Sequence, residues 1–87
     1  ELEEETGYRA GTLEWLININ TTVAFCNEII GVYVARDLIP SRQHLDEDEF
    51  INVEEHDLDE LIDRIYRGEI TDGKTVASLL AYKVKGA

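Results

Sequence analysis

Between Leu16 and Asn20 the chain partly alternates. Ile17 and Ile19 fall on one side and Asn18 and Asn20 on the other, the period of two that marks a half-buried strand. A second strand is expected from about Glu28 to Asp37. There Ile29, Ile30, Val32, Tyr33 and Val34 run almost without a polar break around Gly31. So continuous an apolar run predicts a strand covered on both faces, as when helices pack on either side of a sheet. Phe50-Ile51-Asn52-Val53-Glu54 reads as a third, short strand. The period then changes. Leu58, Leu61, Ile62, Ile65 and Tyr66 lie at i, i+3, i+4, i+7 and i+8, an apolar stripe along one helix. Asp57-Leu58-Asp59-Glu60 has capping-box spacing at its start, and Gly68 should stop it. Asp72 or Thr71 then caps a final helix through about Lys83, with Val76, Leu79, Leu80 and Lys83 on one face.

Three stretches follow neither period. The chain opens on Glu1-Leu2-Glu3-Glu4-Glu5-Thr6-Gly7-Tyr8, read as a short acidic helix that ends at Gly7 in a left-handed cap. Residues 8–12 are expected to form its exit turn. The only proline, Pro40, starts a polar loop, Ser41-Arg42-Gln43-His44-Leu45, which runs into the acidic cluster Asp46-Glu47-Asp48-Glu49. The predicted order is therefore α-β-β-loop-β-α-α over residues 1–87. This is an α/β (mixed α+β) fold with a mixed sheet between helices, without an internal repeat or a linker.

The opening helix has an electrostatic problem. At about 100° per residue, Glu1, Glu4 and Glu5 share an arc of roughly 100°, while Glu3 points the other way. Like charges one turn apart destabilise a helix by a few tenths of a kcal/mol. A cation would turn that liability into a binding site, and clustered carboxylates suit a hard divalent ion such as Mg²⁺ or Mn²⁺. A solvated acidic helix end accounts for the same spacing.

Composition narrows the partners. The chain has 87 residues, a net charge of -11 and a pI near 4.4. That balance argues against a nucleic-acid backbone or an anionic membrane as partner. An anionic small substrate remains compatible, provided metal ions sit between carboxylates and phosphates. The single cysteine, Cys26, excludes an intrachain disulfide and fits a reducing, cytoplasmic compartment. No apolar run approaches the roughly 20 residues of a membrane span. The sequence contains no methionine and offers no cap before its first turn, so it is expected to be the C-terminal part of a longer protein.

Glu1-Leu2-Glu3-Glu4-Glu5-Thr6-Gly7-Tyr8 resembles the second half of the Nudix box, G-x5-E-x7-R-E-U-x-E-E-x-G-U, where U is bulky and apolar. Glu1 stands on the glutamate after the arginine, Leu2 on U, Glu4 and Glu5 on the paired glutamates, Gly7 on the glycine and Tyr8 on the last U. Three further segments are similar to Nudix hydrolases of the ADP-ribose pyrophosphatase type. Thr22 to Glu28 occupies the place of S-P-G-x-S-x-E, and Gln43 to Ile51 looks like the acidic loop L-D-E-D-E-F-I. Gly68 to Thr75 is similar to the turn G-E-I-x-D-x-K-T. Val23 departs from the pattern, standing where a proline is usual, which leaves the choice of nucleoside diphosphate derivative open.

The resemblance implies the C-terminal part of an α/β/α Nudix sandwich that hydrolyses the pyrophosphate bond of a nucleoside diphosphate sugar, ADP-ribose by preference. It implies Glu1, Glu4 and Glu5 as ligands of Mg²⁺ or Mn²⁺, and Glu28 as a substrate contact. Glu47, and after it Glu49, is the expected general base. Members of the group are commonly homodimers, so a homodimer is expected. A non-catalytic, nucleotide-binding regulatory domain of the same fold is the alternative. His44 and His56 lack any metal-ligand spacing and read as surface histidines; Cys26 reads as a small buried hydrophobe. Lys74 reads as a surface cation, and Trp15 and Tyr33 as core aromatics that could otherwise stack on a base.

Overall fold

The computed structural model describes residues 2–21, 28–43 and 52–86. Their elements follow the order α1 (Leu2–Thr6), β1 (Tyr8–Arg9), β2 (Thr12–Asn20), β3 (Ile29–Arg36), β4 (Ile39–Pro40), α2 (Leu58–Tyr66) and α3 (Gly73–Val84). The class is mixed α/β, as the patterning predicts. Among the described residues the strands pair as two ribbons, β1 with β4 and β2 with β3. The chain divides into two compact units, residues 1–14 with 34–55, and residues 15–33 with 56–87.

In the first unit α1 lasts five residues. It ends where expected: Gly7 adopts φ +78°, open to glycine without steric cost, and its N–H donates to the Glu3 carbonyl at 2.9 Å. The expected exit turn is instead a strand. Tyr8 and Arg9 pair antiparallel with β4, Tyr8 opposite Pro40 and Arg9 opposite Ile39. Pro40, read from sequence as the start of a loop, sits at a sheet edge, where its missing N–H breaks no interior ladder. Gly11 packs against the corner at Asp37, a non-glycine residue at φ +54°. A Cβ on Gly11 would lie 2.6 Å from the Asp37 carbonyl oxygen, so no side chain fits there.

In the second unit the alternation of β2 appears as expected, with Leu16, Ile17 and Ile19 half-buried and Asn18 and Asn20 exposed. The expectation for β3 is corrected. It is not covered on both faces: Ile30 and Val32 turn inward, while Ile29 and Tyr33 remain 64% and 56% exposed. An apolar run reports β-propensity and does not by itself count covered faces. Trp15, at 55% exposure, is likewise not a core aromatic, and its indole N–H donates to Asn18 Oδ1 at 3.0 Å.

Helix α2 lies within the expected span and packs on α3. Leu58, Leu61, Ile62 and Ile65 are half-buried along its stripe; Tyr66, assigned to that stripe, is 79% exposed at the last turn. Asp57 is the N-cap, but its side chain makes no capping hydrogen bond, so the capping box is present in spacing only. The chain leaves α2 through a paired exit, Gly68 N–H to the Ile65 carbonyl and Glu69 N–H to the Arg64 carbonyl. Asp72 caps α3 as expected, its carboxylate accepting from Thr75 N–H at 3.0 Å and Thr75 Oγ1 at 2.9 Å. Lys83 turns off the apolar face, and its ammonium reaches Asp59 Oδ1 on α2 at 2.6 Å. Of the third strand, residues 52–54 take no strand conformation. The run from Asn52 to Asp57 is exposed throughout and largely acidic, so no buried face selects an extended ladder. None of the described residues is fully buried.

Candidate functional site

The acidic helix carries the first group of candidate residues. Glu1 lies outside the described residues. Glu4 is exposed and Glu5 half-buried on α1. The backbone carbonyl of Glu5 accepts from Gln43 Nε2, while neither the Glu4 nor the Glu5 carboxylate has a partner among the described residues. Glu3 behaves differently. Its Oε2 accepts from Arg9 Nε on β1 at 3.1 Å and from Ser41 Oγ just past β4 at 2.5 Å. The helix is thus divided by function: one carboxylate ties it to the β1–β4 ribbon, and two remain uncommitted on the far arc. Carboxylate oxygens without protein partners are donors a hard divalent cation would take. Among the described residues no three His, Cys, Asp or Glu side chains converge into a metal-binding group.

Sequence reasoning missed Glu3, Ser41 and Gln43. The helical arc placed Glu3 opposite Glu1, Glu4 and Glu5, which was the available signal. Nothing in a linear reading brings Ser41 or Gln43 beside it, since each contact spans 38 positions.

A second group lies in the other unit. An open cleft is lined by Ile19, Asn20 and Thr21 at the end of β2 and by Asp72, Gly73 and Lys74 at the start of α3. Glu28 is exposed beside it, its Oε1 accepting from Thr21 Oγ1 at 2.9 Å. The hydrogen bonds from the Thr75 N–H and hydroxyl hold the Asp72 carboxyl below the ordinary aspartate range, with the Lys74 charge adding to the effect. The cleft therefore presents a fixed carboxylate next to an ammonium. Lys74, read as a surface cation, is one of its walls.

The turn Gly68 to Thr75 has a structural account in this unit. Glu69 accepts from Arg67 Nε at 2.6 Å and pairs with Arg64 at 3.5 Å. The Arg67 hydrogen bond leads in lowering the Glu69 carboxyl, and Glu69 in turn raises the Arg67 guanidinium. Glu69 thus closes α2, and Asp72 opens α3. His56 is exposed. Glu47 and Glu49, the candidate bases, lie outside the described residues, as do Val23, Cys26 and His44.

No protein-family model matches the chain. Individual proteins do. The chain is 46% identical over 81 residues to a methanol dehydrogenase activator of Bacillus methanolicus, a match covering 91% of this chain and 44% of that protein. It is 36% identical over 89 residues to an ADP-ribose pyrophosphatase of Bacillus subtilis, covering 100% of this chain and 48% of the relative. It is 33% identical over 89 residues to a GDP-mannose pyrophosphatase of Cronobacter sakazakii, covering 99% and 47%. The chain spans about half the length of these curated relatives, or slightly less.

Proposed function

We propose that the protein hydrolyses the pyrophosphate bond of a nucleoside diphosphate sugar, ADP-ribose by preference, the chain belonging to the Nudix hydrolase family. Water attacks one phosphorus, the bridging P–O bond breaks, and AMP and ribose 5-phosphate leave. The observation that carries the reading is α1. It offers the Glu4 and Glu5 carboxylates with no partner among the described residues, at the paired glutamates of the motif, while Glu3 is occupied elsewhere. The names of two pyrophosphatase relatives support the bond that is cut.

In this reading Glu4 and Glu5, with Glu1, would hold Mg²⁺ or Mn²⁺, which when bound would neutralise the phosphate oxygens and acidify a water. Glu47, or Glu49 in its place, takes the proton of the attacking water. Glu28 contacts substrate, held through Thr21 at the edge of the cleft that Lys74 lines. The test is release of AMP and ribose 5-phosphate from ADP-ribose with and without Mg²⁺, in wild type and Glu5→Gln. Metal-dependent release that Glu5→Gln abolishes is expected; unchanged turnover in that variant overturns the ligand assignment.

One relative favours a second reading. The protein at 46% identity is named as an activator, which fits a domain that binds a nucleotide and regulates a partner without cleaving it. Tight binding of ADP-ribose by wild type with no product over hours selects that reading.

A further inference from the structure

We propose that Glu3 is a positioning residue: by tethering one side of α1 it aims the Glu4 and Glu5 carboxylates at the divalent cation. This rests on the reading of Glu4 and Glu5 as ligands given above.

A five-residue helix does not hold itself in water, where isolated helices shorter than about 12 residues are marginal. Apolar packing does not fix α1 either. Its one large apolar side chain, Leu2, is 38% exposed, and no residue of the helix is buried. Polar contacts hold it instead. A single carboxylate oxygen of Glu3 receives Arg9 Nε from β1 and Ser41 Oγ from beyond β4. The Glu3 carbonyl receives Gly7 N–H, and Ser41 N–H donates to the Gly7 carbonyl at 2.7 Å. Gln43 Nε2 takes the Glu5 carbonyl.

The Glu3 contact is the one that fixes rotation. Backbone bonds at the helix end hold its axis in place but act close to that axis. The Glu3 side chain acts at a distance from it, on a direction about 100° from Glu4 and about 160° from Glu5. Pinning that direction to two neighbouring segments sets where the opposite carboxylates point. The same contact keeps Glu3 from acting as a competing ligand. An exposed ion pair of this kind contributes little to overall stability, with Arg9 67% and Glu3 35% exposed at their side chains. Its consequence should therefore appear in metal binding before it appears in unfolding. Residues that orient metal ligands through a hydrogen bond typically change affinity by about 10–100-fold when removed.

The experiment titrates the whole protein with Mn²⁺ alone and follows the free-ion signal by electron paramagnetic resonance. Glu3→Ala is expected to bind Mn²⁺ about tenfold more weakly, with an unchanged circular dichroism spectrum. Glu3→Gln, which keeps an oxygen to accept from Arg9 and Ser41, should recover most of that loss. Wild-type affinity in Glu3→Ala overturns the proposal. So does an equal loss in Glu3→Ala and Glu3→Gln, which would assign the effect to charge alone. If Glu3→Ala does not fold, the double variant Arg9→Ala, Ser41→Ala removes the same tether from the other side. Weakened Mn²⁺ binding there supports the proposal, and wild-type affinity overturns it. Glu5→Gln separates the two ideas. If it keeps full Mn²⁺ affinity, the ligand reading itself fails; if it loses affinity while the Glu3 variants do not, only the positioning role fails.

Discussion

Helices α1 and α3 both carry a carboxylate that grips a neighbour, and they use it to opposite ends. Asp72 caps α3 by accepting from Thr75, three residues on in the same helix, and the rest of α3 follows from its apolar residues packing on α2. Glu3 accepts from Arg9 and Ser41, outside its own helix, and the other carboxylates of α1 are left without a described partner. In α3 the charge starts a helix that packing already supports. In α1 the charge replaces packing, because most of the helix is given over to groups that cannot be buried. A helix with so little apolar contact is held through one charged side chain.

The strongest way to break this contrast is Glu5→Gln. If α1 serves a cation rather than the fold, kcat/KM should drop by at least about a hundredfold, or roughly 2.7 kcal/mol of transition-state stabilisation. The thermal midpoint measured without metal should hold or rise slightly, since one like charge is gone. A clear fall in that midpoint would show that Glu5 supports the fold after all.

Ile65→Ala makes the reverse test in the second unit. Ile65 is half-buried on the stripe of α2, and losing about half the usual burial of an isoleucine costs about 1.5 kcal/mol. Chemical denaturation should report that loss, while kcat well below the unfolding midpoint stays near wild type. The two variants then separate completely: one loses activity without stability, the other stability without activity.

What the sequence made legible follows the same division. The residues of α2 and α3 could be placed from their period and stop signals, since 3.6-residue spacing is a direct record of a packed face. The end of α1 at Gly7 was legible for a similar reason, one residue in a conformation few others adopt. The β1–β4 ribbon was not, because two-residue strands carry no period; their pairing is fixed only by the antiparallel register of Tyr8 with Pro40 and Arg9 with Ile39. The single coverage of β3 was also hidden, since a run of β-formers reads alike whether one face or both are covered. On α1, the motif named the carboxylates but not the contacts of Glu3 with Arg9 and Ser41, the second of which depends on a segment nearly forty positions away. The turn from Gly68 to Thr75 was read as a family signature. Its Glu69 and Asp72 have structural roles at the end of one helix and the start of the next.

A smaller effect distinguishes the two aspartates at helix starts. Asp72→Ala should lower the thermal midpoint because Thr75 N–H loses its acceptor. Asp57→Ala, where the side chain makes no capping bond, should stay within about 0.5 kcal/mol of wild type. The Asp72 effect has a pH signature. Its folded-state carboxyl is held below the ordinary value, so its contribution is complete above the unfolded aspartate value, about 3.9. That contribution disappears as pH falls through the lower folded value. The gap between wild type and Asp72→Ala should therefore close in acid, and a gap that persists at pH 2 would assign it to something other than the charged cap.

The smallest effect belongs to the pair between α2 and α3. Lys83 lies 2.6 Å from Asp59, yet both side chains are largely open to water, so screening should decide its worth. Lys83→Met is expected to lower the thermal midpoint slightly at low ionic strength and not at all in about 1 M salt, where the screening length is about 3 Å. The pH dependence runs opposite to that of Asp72. Asp59 raises the Lys83 ammonium above its ordinary value, so the pair contributes fully below the unfolded lysine value, about 10.4. The contribution is lost as pH rises through the higher folded value. If Lys83→Met costs the same in 1 M salt as in dilute buffer, the side chain supports α3 through its methylene stem packed on α2 rather than its charge. Helix α3 would then depend on packing even at the position where the sequence shows a cation.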